Sequence, residues 1–291
     1  MRARVWACRR SFLVSASRSL VPAAKRLRST SRCSRHPARR FAPPRARLNS
    51  IVMRQATTVS DQSERWKLYS EVTRCPLQCR GIRNDRSSGI VPRSFYWSES
   101  SGDVNLLIVS KNPGQSPDWE AALYAQTAPE DLAAVHLQVV HDLFDGTLSV
   151  PSSYHVNLVR RVAAVLGVPA NATGVFRFAA MTALAKCQSF GSKTARIPDQ
   201  TYSTCAERFL LQEIRHFKPV YLLALGTEVF EFLTNPRIAR LHGLRVGKLW
   251  HPSWSNMPGG EAAYFSQELP ALHNEYIAAL RTSGRTAVGA P

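Results

Sequence analysis

The stretch V-Y-L-L-A-L-G (Val220–Gly226) decides the fold. It is an unbroken apolar run that ends on glycine, the pattern of a strand buried on both faces, as in a parallel sheet. Thr201–Phe217 before it places Phe209, Leu210, Ile214 and Phe217 on one helical face, and Pro219 follows the end of that helix. Gly226 opens a tight turn into another helical stretch, Glu228–Leu233. A helix, a buried strand and a second helix in succession are the repeating unit of an α/β protein.

Working outward, N-L-L-I-V-S (Asn105–Ser110) is a second short apolar run, stopped by Asn-Pro-Gly. Val175–Leu184 is apolar and moderately β-prone and is expected as a third strand, and Leu244–Trp250 as a fourth. Helices are expected at Glu64–Val72, Asp131–Leu143, Tyr154–Leu166 and Glu261–Leu280, and Arg80–Arg93, rich in Gly, Ser and Arg, as loop. The reading is one α/β domain: three α/β/α layers around a four-stranded, mostly parallel sheet. It spans residues 61–283, after a basic extension at 1–60 and before a flexible tail at 284–291. In such sheets ligands bind beyond the carboxyl ends of the strands, and both K-N-P-G and H-P-S-W fall directly after expected strands.

The net charge of +18 suggests nucleic acid, but its distribution qualifies that. Residues 1–60 hold 15 Lys and Arg with no Asp or Glu, while the remaining 23 basic residues meet 20 acidic ones. The extension is Arg- and Ser-rich, the composition of a mitochondrial transit peptide. Its alternative is an untranslated leader with Met53 as the working start, which would leave the protein cytoplasmic or nuclear. Disorder is expected of the extension in either case, and Cys8 and Cys33 within it are assigned no role. No apolar run reaches the length of a membrane span, and a monomer without membrane attachment is expected.

After residue 60 only four cysteines remain: Cys75 and Cys79 in R-C-P-L-Q-C-R, Cys187 in A-K-C, and Cys205 in S-T-C. In an intracellular setting, spaced thiol pairs favour a metal over disulfides. An iron–sulfur cluster, a zinc ion and four free buried thiols are the three readings. Zinc is the weaker of the metals, because seventeen residues between Cys187 and Cys205 are too many for a zinc knuckle.

Two further motifs can carry chemistry. In S-K-N-P-G (Ser110–Gly114), Pro113 keeps Asn112 out of helical geometry and Gly114 allows close approach of a ligand. An amide there can orient water or a base edge; by itself Asn-Pro-Gly is also an ordinary turn. In H-P-S-W-S (His251–Ser255), His251 can donate to an oxygen that gains charge, or can simply cap a turn. Lys111, Lys186, Lys193, Arg196 and Lys248 lie near these motifs as candidate phosphate contacts or solvated charges.

The ordered set resembles the uracil-DNA glycosylase superfamily, most closely its iron–sulfur branch. It comprises a cysteine pair, strand-N-P-G, K-C, a second cysteine opening a helix, a strand ending A-L-G and a strand ending H-P-S. The resemblance covers Leu68 to Ser255. It implies a monofunctional DNA glycosylase of base-excision repair, hydrolysing the N-glycosidic bond of a flipped base, uracil above all. Carried onto this chain, Asn112 positions the attacking water and His251 stabilises the departing base. Lys111, Pro113, Gly114, Ser253 and Trp254 line the substrate, with Trp254 or Met257 as the wedge that fills the gap in the duplex. Trp119, Tyr124 and Phe190 are the candidates for stacking on the base, each with a place in the core as its other reading. Cys75, Cys79, Cys187 and Cys205 hold a [4Fe–4S] cluster with a structural role. The first cysteine spacing is C-x3-C where the branch has C-x2-C, and the second is C-x17-C where the branch has about fifteen residues between. Aligning T-A-L-A-K-C (Thr182–Cys187) puts Ala183 where that branch reads uracil with an Asn. A methyl makes no hydrogen bond, so the base removed stays open, and a catalytically silent DNA-binding protein of the same fold is the alternative.

Overall fold

Three of the four runs form the heart of one sheet because their residues cannot be left in water on either side, and the fourth, at the edge, is partly exposed. In the computed structural model, which describes residues 64–98, 104–144, 153–191, 195–253 and 259–286, the strands in chain order are β1 (Ile82–Arg83), β2 (Leu106–Ser110), β3 (Ala179–Ala183), β4 (Gln188–Ser189), β5 (Tyr221–Leu225) and β6 (Arg245–Leu249). The main sheet has the order β3-β2-β5-β6, and all its pairings are parallel. β1 and β4 form a separate antiparallel ribbon. The extension at 1–60 with Met53, Cys8 and Cys33, together with Lys193, Trp254, Ser255 and Met257, lies outside the described residues.

Alternate residues of the central strands feed two different cores. Leu107 and Val109 of β2 with Leu222 and Ala224 of β5 join one cluster, roofed by the Glu64–Thr73 and Leu211–Phe217 helices. Leu106 and Ile108 with Tyr221, Leu223 and Leu225 join the other, covered by the Ser153–Leu166 and Leu269–Thr282 helices. Helices therefore cover both faces of a parallel sheet, the arrangement that produces continuous apolar strands and one compatible with three α/β/α layers.

The expected third strand is corrected at its start. Val175 and Phe176 end a short helix, Ala172–Phe176, and the strand begins at Ala179. Asn171 accounts for this, since its side chain accepts from the Gly174 N–H and caps the helix. Arg80–Arg93 is not all loop, because β1 and a 3₁₀ turn at Arg86–Ser88 lie within it. The helix Asp199–Cys205 runs into a π-helical stretch, Ala206–Leu210, before continuing as Leu211–Phe217. A similar π stretch, Tyr264–Glu268, divides the last expected helix. Helices at Asp118–Gln126 and Pro236–His242 have no counterpart in the sequence reading. Of the expected C-terminal tail, residues 284–286 are described, and Arg285 donates to Asn105 Oδ1 at 2.8 Å.

The strand order places a topological switch between β2 and β5. From β2 the chain moves to β3 on one side, and later to β5 on the other. Crevices open at the carboxyl ends of such a strand pair. Asn112 follows β2 there, and Gly226, with φ of 90°, turns β5 into the Thr227–Thr234 helix.

Candidate active site and cysteine tetrad

Parallel pairing brings the two motifs to the same edge of the sheet. Val109 is level with Ala224, and Ala224 with Lys248. Asn112 lies two residues beyond the end of β2 and His251 two residues beyond the end of β6, with β5 between these strands. Two strand spacings separate the ends of β2 and β6 by about 10 Å. The Asn112 amide donates to the Pro113 carbonyl at 2.9 Å, which leaves Oδ1 as an acceptor without a partner among the described residues. Around Gly114 a Cβ would meet nothing within 4 Å, so this side of the loop is open.

His251 is held by one face of the Ser153–Leu166 helix. Tyr154 stacks obliquely on its ring, with centroids 5.5 Å apart. Asn157 donates to the Pro252 carbonyl at 3.1 Å, and Arg161 donates to the carbonyls of Trp250 and His251 at 3.1 Å each. These three residues follow helical spacing, so one buried helix face grips the whole turn. Burial, then the Arg161 charge, lowers the His251 pKa and favours the neutral ring. Its Nδ1 accepts from the Ser253 N–H at 3.3 Å. A neutral imidazole that accepts at Nδ1 carries its proton on Nε2. His251 is thus a neutral Nε2–H donor beyond the end of β6.

Lys111, expected against substrate, forms an ion pair with Glu228 at 2.7 Å and donates to the Ala195 carbonyl at 3.0 Å. It ties the Cys187–Cys205 connection to the start of the helix after β5. Tyr202 donates to the same Glu228 at 2.6 Å. Ser253 is exposed, Pro113 is half-buried, and Trp254 lies outside the described residues. Among the aromatic candidates, Tyr124 is corrected to a core residue, fully buried with its hydroxyl 2.9 Å from His136 Nδ1. Phe190 and Trp119 remain at the surface, at 67% and 36% exposure. Phe190 precedes Gly191, whose carbonyl accepts from Gln115 of the N-P-G loop at 2.9 Å. Ala183 ends β3 beside Ser110, buried, with only a methyl to offer.

Lys186 is corrected as a phosphate contact. Its ammonium is 1% exposed and bonds both Glu213 oxygens, at 2.7 and 2.8 Å. It also bonds Thr182 Oγ1, which donates in turn to Glu213 at 2.8 Å. Lys248 lies over the rings of Trp250 and Phe230, and Arg196 is exposed.

The four cysteines come from three separated segments that the fold joins. Cys75 caps the Glu64–Thr73 helix through its N–H to Val72 O, and Asn84 closes the C-x3-C loop by donating to the carbonyls of Cys75 and Leu77. β1 after Cys79 pairs with β4 after Cys187, with Ile82 opposite Ser189 and Arg83 opposite Gln188. Thr201, one helical turn before Cys205, donates to the Arg80 carbonyl at 2.8 Å. Gly81 has φ of 81°, and a Cβ there would stand 2.6 Å from Pro198 Cδ.

The thiols are electrostatic neighbours in every pairing. Burial is the main cause that raises the Cys187 pKa, and the charges of Cys205, Cys75 and Cys79 raise it further, while Lys186 opposes. Burial likewise raises the Cys205 and Cys79 thiols; a Lys186 backbone N–H lowers Cys205, and the Cys75 charge raises Cys79 further. Neighbouring cysteine sulfurs, three of them buried, are the kind of soft donor set that an iron–sulfur cluster takes once the thiols are deprotonated. Among the described residues, no three His, Cys, Asp or Glu side chains converge on one metal ion. A single tetrahedral zinc needs its sulfurs about 3.8 Å apart, given bonds of about 2.3 Å. A four-iron cluster takes one sulfur per iron and spaces them more widely.

The residues that sequence reasoning missed are the holders of the motifs. Tyr154, Asn157 and Arg161 leave a trace only as i, i+3, i+7 spacing on an amphipathic helix. No protein-family model matches the chain, and no curated protein matches it.

Proposed function

We propose that the protein is a DNA glycosylase that hydrolyses the N-glycosidic bond of a damaged or deaminated base turned out of the duplex, with uracil the first substrate to test. The single observation that carries the reading is the placement of two groups at the carboxyl edge of the sheet: an amide acceptor, Asn112, after β2 and a neutral Nε2–H donor, His251, after β6, on either side of β5. In that reaction the bond between sugar carbon and base nitrogen breaks with its electron pair moving onto the base, water adds to the sugar carbon, and the proton that water loses ends, through solvent, on the departed base. Asn112 Oδ1 would accept from that water and orient it, since an amide is too weak a base to deprotonate it. His251 Nε2–H would donate to the base oxygen where negative charge collects. A neutral donor gains more there than in the free base, which is what lowers a barrier. Phe190, exposed beside the N-P-G loop, offers a face for the extruded ring. Trp254 is carried in this proposal as a substrate residue from the sequence alone.

Cys75, Cys79, Cys187 and Cys205 would hold a [4Fe–4S] cluster, which would supply a structural tie between the segment before β2 and the Cys187–Cys205 connection. No step of the hydrolysis passes through it.

The test is base release. Protein kept anaerobic is incubated with oligonucleotides carrying uracil or hypoxanthine, single-stranded and mispaired, then treated with hot alkali. Strand breaks at a lesion that disappear in His251→Ala and fall strongly in Asn112→Ala are expected. Intact strands on every substrate, from protein with its iron in place, would overturn the enzymatic reading. A second reading, a silent DNA-binding protein of this fold, is favoured by Ala183, whose methyl cannot read a base edge. It predicts that both variants bind DNA as the wild type does and that no variant releases base.

A further inference from the structure

The Cys187 segment is fastened on two sides. On one side β4 pairs with β1, which follows Cys79. On the other, the Gln188 side chain, 4% exposed, donates from Nε2 to Ser116 Oγ at 2.7 Å. Ser116 lies four residues beyond Asn112. The same oxygen accepts from Arg93 Nη2 at 2.6 Å, so both of its lone pairs are engaged. Arg93 also reaches the cysteine segment through its backbone, donating to the Lys186 carbonyl at 2.7 Å. Gln115 adds the bond to Gly191, and Pro113 and Pro117 stiffen the loop on either side. Pro117 in turn accepts from the N–H groups of Glu120 and Ala121, at 3.0 Å each, and so starts the Asp118–Gln126 helix.

We propose that Gln188 is a positioning residue that hands the closure of the cysteine tetrad on to the Asn112–Ser116 loop. The inference rests on the reading of both sites given above, and goes beyond it by naming the contact through which one acts on the other. β1 and β4 are two residues each, too short to hold a register alone. Four thiolates tied to one group fix that register, and with it the place of the Gln188 amide. When the tie is lost, the amide is free to shift, and of the two donors on Ser116 Oγ only Arg93 stays in place.

Amide hydrogen exchange of Glu120 and Ala121 reads the loop's anchorage independently of any activity. Full-length protein reconstituted anaerobically with ferrous iron and sulfide is compared with the same protein stripped by chelator. Stripping is expected to speed exchange at these two amides about fivefold, the effect of one net hydrogen bond. Gln188→Ala should do the same while iron content and visible absorbance stay at wild-type levels. Gln188→Glu should restore slow exchange, because the Ser116 hydroxyl can turn and donate to the carboxylate. Ser116→Ala with Gln188→Ala should go no further than either alone, and the amides of β5 should not change. Wild-type exchange in Gln188→Ala with iron bound would overturn the relay and leave the tetrad standing. Failure of the wild type to take up iron and sulfide would overturn the tetrad reading, and the relay with it.

Discussion

The buried pair Lys186–Glu213 sets a sharp energetic test. Both side chains are at most 1% exposed, the ammonium bonds both carboxylate oxygens, and Thr182 closes the triangle. Exchanging Glu213 for Leu leaves a cation in the core whose remaining side-chain partner is one hydroxyl, and Lys186→Met leaves a carboxylate in the same condition. Removing one member of a buried pair costs about 3–5 kcal/mol. At roughly 2–4 °C per kcal/mol for a domain of this size, either variant should melt about 6–20 °C lower. Lys186→Met with Glu213→Leu removes both charges and both desolvation penalties, and should recover most of the loss. Thermal and urea unfolding of the four proteins, in one buffer and with equal iron content, give the cycle. A single variant within about 1 kcal/mol of wild type, or a double variant as unstable as the sum of the singles, would refute the assignment of a desolvated, mutually dependent pair.

Two other outcomes follow from the described geometry. Burial takes His136 down to about 3, against an ordinary value of 6.5. The unfolded chain therefore binds the proton first, and stability is full above pH 6.5 and falls as pH drops toward 3. Between pH 7 and 5 the loss is about 2 kcal/mol from this group alone. Urea unfolding should show a shallower pH slope in His136→Gln, and an unchanged slope would refute the shift. Gly81→Ala meets both a left-handed φ and Pro198 Cδ at 2.6 Å, whereas Gly114→Ala meets nothing within 4 Å. The first should cost about 1–3 kcal/mol and lower iron bound per chain, the second under about 0.5 kcal/mol. Equal urea midpoints for the two would contradict the close packing at the C-x3-C loop.

How much could be read in advance varies with how local the determining contact is. β2 and β5 were legible because Leu106–Val109 and Tyr221–Leu225 are buried on both faces, which makes the run continuous in sequence. β3 was blurred because its residues are mostly small, Ala-Ala-Met-Thr-Ala, and an apolar helix end at Val175 and Phe176 merges with it. The motif residues Asn112 and His251 announced themselves by their turns. What grips His251 did not, since Arg161 reaches it from 90 residues away. Lys186 was read as a candidate phosphate contact or solvated charge because it lies beside the A-K-C motif. The better clue was Glu213, a carboxylate spaced four residues from both Phe209 and Phe217 on the apolar face of its helix, where a charge needs a partner.

The parallel sheet with β2 at its middle also fixes an order in time. The ribosome makes β2 first, then adds β3 to one flank and β5 to the other, and closes the edge with β6. The cysteines follow the same schedule. Cys75 is synthesised 130 residues before Cys205, an interval of about 6–26 s at 5–20 residues per second. Through that interval Cys75 and Cys79 are a close thiol pair without the strand that will shelter them. If the four hold the proposed cluster, the nascent chain must keep the first two reduced and unclaimed until the last one has been made.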